Sequence, residues 1–229
     1  MPSSERAPVL VVAALSYELE SLRRANLPEV ALLETGEGVV NARKHLEIWF
    51  TNNRARVVLS IGFAGGLSPQ VKIGDLVIAQ TVRSSVSSDP FLIDCATGVT
   101  LQYPSHLAVA ITTDQVVWQA KSKEALAGSL APGEIGFVDM ESTAIADVCA
   151  KRDVPFLIAR YITDVLDQDL PLDFNKYRDL DGRVDPNKVM WAALLKPSRI
   201  SGLLELRKRS KLCAARMSEF VEQMVRKIP

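Results

Sequence analysis

Three acidic residues, Glu18, Glu141 and Asp164, stand at the seams between apolar runs, where carboxyl groups can give or take protons. Glu141 ends the cluster Asp139-Met140-Glu141, and Asp164 closes the segment that begins at Arg160. The stretch from Gly136 to Asp164 that holds both reads as strand, helix, strand. Gly136 to Met140 is short and apolar except for Asp139. Ala144, Ile145, Val148 and Cys149 then recur at helical spacing. Asp153 and Pro155 stop that helix, and Pro155 to Ile162 is a nearly continuous apolar run, as expected of a strand covered on both faces. In open α/β sheets, ligands bind beyond the carboxyl ends of strands. One carboxylate at a helix start and another past a strand end could therefore face one pocket. The plainer alternative is that Glu141 caps a helix and Asp164 caps a loop.

The elements that must position these groups follow in chain order. Val9 to Leu15 is a buried-strand candidate, with Ser16 as the N-cap of a helix beginning at Glu18, Leu19 and Leu22. Glu18 thus falls just past the strand's carboxyl end, where an ordinary first-turn glutamate would also sit. Ala31 to Glu34 is a short strand, and Thr35-Gly36-Glu37-Gly38 leads into a helix that carries His45 and ends at Asn52-Asn53. Val57 to Ile61 is a third strand. It runs into Gly62-Phe63-Ala64-Gly65-Gly66, whose glycines let the backbone approach a ligand or take positive φ. The spacing is not that of a P-loop. Strands are expected at Leu76 to Val82 and Leu107 to Thr113, a hairpin across Phe91 to Tyr103, and a helix from Lys121 to Leu130. The irregular, Asp- and Pro-rich segment after Asp164 reads as a binding loop or lid, with Phe174 its largest apolar residue.

Bulk properties exclude several classes. Lys+Arg and Asp+Glu both total 27, so no nucleic-acid partner is implied. Three cysteines and two histidines show no metal-ligand spacing, so neither metal nor cofactor is expected. The N-terminus lacks the pattern of a signal peptide and no run is long enough to span a membrane, so a cytoplasmic protein is expected. From Lys196 onward the chain carries nine Lys/Arg against three Glu, an excess of six. Leu203, Leu206, Cys213, Met217, Phe220 and Met224 form one helical stripe there. This amphipathic region, about 197–229, reads as a surface helix with a solvated basic face, or as a peripheral contact with an anionic membrane. The whole of 1–229 is expected to form a single domain.

The segments IGFAGGLSPQVKIGDLVIA and VDMESTAIADVCAKRDVPFLIARYITD, with the early strand followed by Glu18, resemble the nucleoside phosphorylase/nucleosidase superfamily from about Val9 to Phe174. Within it the chain is most similar to methylthioadenosine/S-adenosylhomocysteine nucleosidases and hopanoid-associated phosphorylase-like proteins. The resemblance implies an α/β fold, a three-layer α/β/α sandwich around a mixed, partly barrel-like sheet. It also implies cleavage of the N-glycosidic bond of a purine nucleoside. Asp164 would protonate N7 of the base, Glu141 would bind the ribose hydroxyls beside Met140, and Glu18 would activate water. Arg160 would steady the carboxylates. Val116 and Val117 match base-contacting positions, and Phe174 matches a lid residue near the 5′ end. Gly65 belongs to the glycine-rich wall of the site. A homo-oligomer is implied.

Free carboxyls titrate near ~4, so Asp164 must be kept protonated by burial or gain its proton as substrate binds. Phosphorolytic relatives place an arginine and a hydroxyl where this chain has Ser60 and Phe63. Neither replaces a guanidinium on phosphate, so water is the expected acceptor, unless Arg43, Arg83 or a neighbouring subunit rebuilds an anion site. The apolar, basic C-terminal region resembles the hopanoid-associated group, which implies a lipid-linked adenosine as an alternative substrate. A non-catalytic nucleoside-binding protein is the remaining class, although three converging carboxylates would repel one another at a cost in stability.

Overall fold

The computed structural model describes residues 7–85, 93–94, 104–179, 184–195 and 197–228. Strand β1 (Val9–Ala13) is buried throughout, and its side chains alternate between two cores. Leu10 and Val12 face one, and Val9, Val11 and Ala13 face the other, as the two-residue period of a strand dictates. A continuous apolar run is therefore needed to cover both faces. The chain then passes through a 3-10 turn at Ser16–Glu18 into α1 (Glu20–Ala25). The expectation for Ser16 is corrected: Leu15 holds the cap position, and the Ser16 hydroxyl accepts from Arg23 Nη1 at 2.8 Å.

The remaining elements are β2 (Val30–Glu34), α2 (Val39–Asn52), β3 (Val57–Gly66), β4 (Leu76–Ser84), β5 (Ile93–Asp94) and β6 (His106–Thr112). They are followed by α3 (Ala120–Ala127), β7 (Gly136–Asp139), α4 (Ser142–Lys151), β8 (Phe156–Asp164), α5 (Pro186–Leu195) and α6 (Ile200–Lys227). Of the hairpin expected across Phe91 to Tyr103, only Ile93–Asp94 is described, paired antiparallel to β4; the rest lies outside the described residues. Helix α5 was not foreseen.

Strand β3 organises the sheet. One edge pairs parallel with β8 along Val58 to Gly65. The other pairs parallel with β1 over Val57 to Ser60, then antiparallel with β7 at Gly65 and Gly66. Strand β7 runs parallel to β6, β6 parallel to β4, and β4 antiparallel to β8. The order β3-β7-β6-β4-β8 therefore closes on itself as a five-stranded mixed barrel, with β1 and β2 as a parallel wing. Apolar residues of α2 and α4 pack on one side, including Leu46, Ile145 and Cys149. Leu22 of α1 and Met217, Phe220 and Val221 of α6 pack on the other, giving the α/β/α layering.

The glycine-rich block corrects an expectation. It is strand, and none of its glycines has positive φ. Its value is proximity: a Cβ at Gly62 would lie 3.2 Å from Glu18 Oε1, and one at Gly65 would lie 3.0 Å from Asp164 Oδ2.

Candidate active site

The site is assembled where β1, β3, β7 and β8 end. Glu18 closes the 3-10 turn after β1 and is 3% exposed. Its Oε2 accepts from the Leu15 N–H at 2.8 Å, and the Phe63 backbone also hydrogen-bonds it. Burial pushes its carboxyl up to about 8. The negative Glu141 adds to the rise, while the backbone bonds and Arg160 oppose it.

Glu141 does not cap α4, although it occupies the cap position. Capping falls to Asp139, whose Oδ1 accepts from Ser142 N at 3.3 Å and whose Oδ2 accepts from the Ser142 hydroxyl. The Glu141 carboxylate turns instead to the start of α2, where Oε1 accepts from Gly38 N at 2.7 Å. Gly38 has φ +89°, a left-handed conformation that side chains avoid, and this aims its N–H across the site. Burial pushes Glu141 up to about 7, with Asp139 adding to the rise and Arg160 opposing it.

The direct bonding partner of Arg160 is Asp139. Both are buried, with Nη2 2.9 Å from Asp139 Oδ2. Nη1 donates to Ser60 O at 3.1 Å and to Ser60 Oγ at 3.2 Å. Arg160 acts on Glu18 and Glu141 only through space, lowering the proton affinity of each. Ser60, read as a phosphate-side position, is thus a ligand of Arg160.

Asp164 is paired in register with Gly65 and is 5% exposed. It is not a loop cap. Its Oδ1 accepts from the Thr163 hydroxyl at 3.0 Å, and its Oδ2 lies 2.8 Å from Lys123 Nζ of α3. Burial raises the proton affinity of Asp164, and Lys123 and Thr163 pull against it. A cavity of about 260 Å³ opens beside Asp164, walled by residues including Leu170, Arg199 and Arg209.

Lys123 went unremarked in the sequence, yet a signal was there. It falls on one helical stripe with Leu126, Ala127 and Leu130, the only charge among apolar neighbours. Asn175 and Tyr17 also escaped notice. Tyr17 stacks on Phe63 with ring centroids 5.7 Å apart. The side chain of Asn175 pairs twice with the Val116 backbone, donating to Val116 O and accepting from Val116 N, both at 2.9 Å. This ties the 3-10 turn that starts at Phe174 to the segment holding Val116 and Val117. Arg178, after that turn, donates to Met140 Sδ at 3.3 Å and lies 3.7 Å from Glu37 Oε1. The His45 ring, for which no partner was foreseen, contacts Asn41 O at 3.0 Å.

The structure thus gathers Glu18, Glu141, Arg160 and the Phe63 backbone in one electrostatic neighbourhood, and sets Asp164 against Gly65. Val117 packs in one cluster with Leu126 and Ala127 of α3, and Asn175 ties the turn of Phe174 to Val116. Among the described residues, no group of three or more His, Cys, Asp or Glu could hold a metal ion, and no helix is long and apolar enough to cross a membrane.

A family model described as the phosphorylase superfamily matches residues 21–187, which include Glu141 and Asp164 and begin just after Glu18. The chain is 30% identical over 171 residues to the 5'-methylthioadenosine/S-adenosylhomocysteine nucleosidase of Marinomonas sp. (strain MWYL1), across 65% of this chain and 74% of that protein. Among solved structures, the nucleosidase of the same name from Neisseria meningitidis, in complex with methylthio-immucillin-A, superposes with a TM-score of 0.71 at 19% identity. That match covers 97% of this chain and 100% of the other. The futalosine hydrolase of Helicobacter pylori gives a TM-score of 0.70 at 16% identity, over 97% and 98% of the two chains.

Proposed function

Since the chain belongs to the phosphorylase superfamily, we propose that it cleaves the N-glycosidic bond of a purine nucleoside, releasing adenine, with water as the acceptor. The observation that carries this reading is the contrast between the carboxyl environments. Glu18 is buried with its proton affinity pushed up to about 8, so the carboxylate form that takes a proton from water is populated toward alkaline pH. Asp164 is buried beside a cation, as suits an acid that must end the reaction as a carboxylate. Glu141, oriented by the Gly38 N–H, accepts from the ribose hydroxyls. Leaving of the base builds positive charge on the sugar and negative charge on the base. A carboxylate below the sugar and a proton delivered to N7 answer both.

Water is favoured over phosphate because the arginines named as candidates for a phosphate site are engaged. Arg43 is bonded to Asp147, Arg83 lies 3.1 Å from Glu134, and Arg160 is held by Asp139. The 30% identity to a nucleosidase supports the same choice and the adenine base. Adenine release should be followed from methylthioadenosine, S-adenosylhomocysteine and adenosine, with and without phosphate, against Asp164→Asn. Phosphate-independent release, reduced roughly 10²–10⁴-fold in the variant, is the expected outcome. Release that requires phosphate and yields a sugar 1-phosphate would make the protein a phosphorylase. Binding without turnover would make it a nucleoside-binding protein.

A substrate with a bulky apolar 5′ group, met at an anionic membrane, is a second reading. It is favoured by Leu204 and Leu212, exposed on α6 beside Arg207, Lys208 and Lys211. Failure to bind vesicles containing anionic lipid would remove it. We treat the chain as one domain that works as a homo-oligomer, to be checked by light scattering; a monomeric mass would refute the assembly.

A further inference from the structure

We propose that Lys123 is a positioning residue for this reaction: its buried ammonium fixes the Asp164 carboxyl and stabilises the carboxylate left when the proton passes to the base. The inference rests on the reading of Asp164 as the acid.

Lys123 has no exposed surface. Its Nζ donates to three acceptors: Asp164 Oδ2 at 2.8 Å, Gln168 O at 2.6 Å, and Val165 O. An ammonium has three N–H donors and no acceptor, so the set is saturated by the charged form. Two of the acceptors are carbonyls of the loop following β8, so a single cation holds both the acid and the chain leading away from it. Packing of the α3 stripe does not call for a cation. The neighbours of Lys123 on it are Leu126 and Ala127, and a buried ion pair is often replaced by apolar residues without loss of stability.

The surroundings are shaped to this pair. A Cβ at position 65 would lie 3.0 Å from Asp164 Oδ2 and 3.6 Å from Lys123 Cδ, so glycine leaves room for both side chains. Thr163 holds the other carboxyl oxygen. The carboxyl is thus gripped at both ends, which lowers the reorganisation needed when it changes charge. Other charged groups face the same region. Arg209 of α6 acts on Asp164 through space, while its guanidinium donates to Gln168 Oε1 at 2.9 Å. Asp169, Arg199 and Glu205 line the adjoining cavity. Of these cations, Lys123 alone is bonded to the carboxyl among the described residues.

The step balances simply. The glycosidic C–N bond breaks and its electron pair goes to the base, while water forms the new C–O bond at the anomeric carbon and gives its proton to Glu18. The Asp164 proton moves to N7, and the new carboxylate remains against Lys123. Burial alone would hold the proton too tightly, and the ammonium offsets this.

The test uses Lys123→Met, Lys123→Gln and Lys123→Arg with two readouts. One is the ¹³C carboxyl titration of Asp164, assigned by its loss in Asp164→Asn. The other is the pH profile of kcat/KM for adenine release. In the two neutral variants the Asp164 midpoint should rise by about one pH unit or more, and the alkaline limb of kcat/KM should move up with it. At the optimum, kcat should fall at least about tenfold. Lys123→Arg should keep the limb near its original place. An unmoved midpoint in folded Lys123→Met or Lys123→Gln overturns the proposal, whatever happens to the rate. If neither neutral variant folds, the coupling is read in reverse, since it is reciprocal. The Lys123 Nζ protons should then exchange with solvent faster in Asp164→Asn than in the wild type, and unchanged exchange overturns the proposal. These resonances need no substrate, so a protein that turns over no nucleoside would refute the acid role of Asp164 while leaving the coupling measurable.

Discussion

Glu18 shows what a buried carboxyl costs and why an enzyme would keep one. Its proton affinity lies near 8 in the folded protein against an ordinary 4.5. Between those values the folded chain retains a proton that the unfolded chain has released, so this group's contribution to stability falls as pH rises through that window. The loss is complete above about pH 8 and absent below about pH 4.5. The full span corresponds to at most ~5 kcal/mol. Glu18→Gln, which cannot ionise, should therefore melt at a higher temperature than the wild type at about pH 9, with the gap closing as pH falls toward about 5. The same variant should lose roughly 10²–10⁴-fold in kcat. A melting difference independent of pH would show that Glu18 is not held protonated by burial. Asp164→Asn carries the opposite liability, because it leaves the Lys123 ammonium buried without its counter-charge. It should melt below the wild type, so its activity is best expressed per folded molecule.

Among the secondary-structure elements, β3 decides the geometry, and its glycines are the sharpest place to test that. A Cβ at Gly65 would press on Asp164 Oδ2 at 3.0 Å and on Val138 Cγ1 at 3.1 Å, and Asp164 is pinned by Lys123. Gly65→Ala should cost about 1–3 kcal/mol in stability through overpacking. It should cost more in rate, roughly 10²-fold, because the acid is displaced. Gly128→Ala is the control. That residue caps α3 in right-handed conformation, and a Cβ there would meet ordinary contacts at 3.4 and 3.7 Å. Equal losses in the two variants would mean that Gly65 serves only the fold. The strand itself was legible in Val57 to Ile61, and so were β1 and β8, because a strand covered on both faces must be apolar throughout. The continuation of β3 through Gly66 was not legible, since glycines carry no side-chain period and its exchange of partner from β1 to β7 is a long-range event. Helix α5 was hidden by the irregular, Asp- and Pro-rich lead before it. The carboxylates could be placed because they stand at seams between periodic runs. Arg160 could be named from its place before Asp164, but its bond to Asp139 and the pairing of Lys123 with Asp164 join separate elements and could not be read from the sequence.

Across the whole molecule, α6 has two roles that its sequence blended into one amphipathic stripe. Cys213, Met217, Phe220, Val221 and Met224 are between 0 and 3% exposed and form part of the core against β3 and β8. The Tyr161 hydroxyl donates to Arg216 O at 3.2 Å, and Arg216 Nη1 donates to Gly74 O at 2.9 Å, so the helix is also tied to the barrel by polar contacts. Removing the chain from Lys196 onward would therefore strip one layer of the sandwich, and any loss of activity would report on folding. Point substitutions separate the faces. Phe220→Ala should cost about 3–5 kcal/mol, read from urea unfolding, because it opens a cavity in a packed layer. Lys208→Glu with Lys211→Glu reverses charge on the exposed face, and should change stability by no more than about 0.5 kcal/mol. If that face meets an anionic membrane, the double variant should lose binding to anionic vesicles while still releasing adenine from a soluble nucleoside. Retained vesicle binding in the charge-reversed protein would remove the basic face from the account, and would leave α6 as the third layer of the sandwich alone.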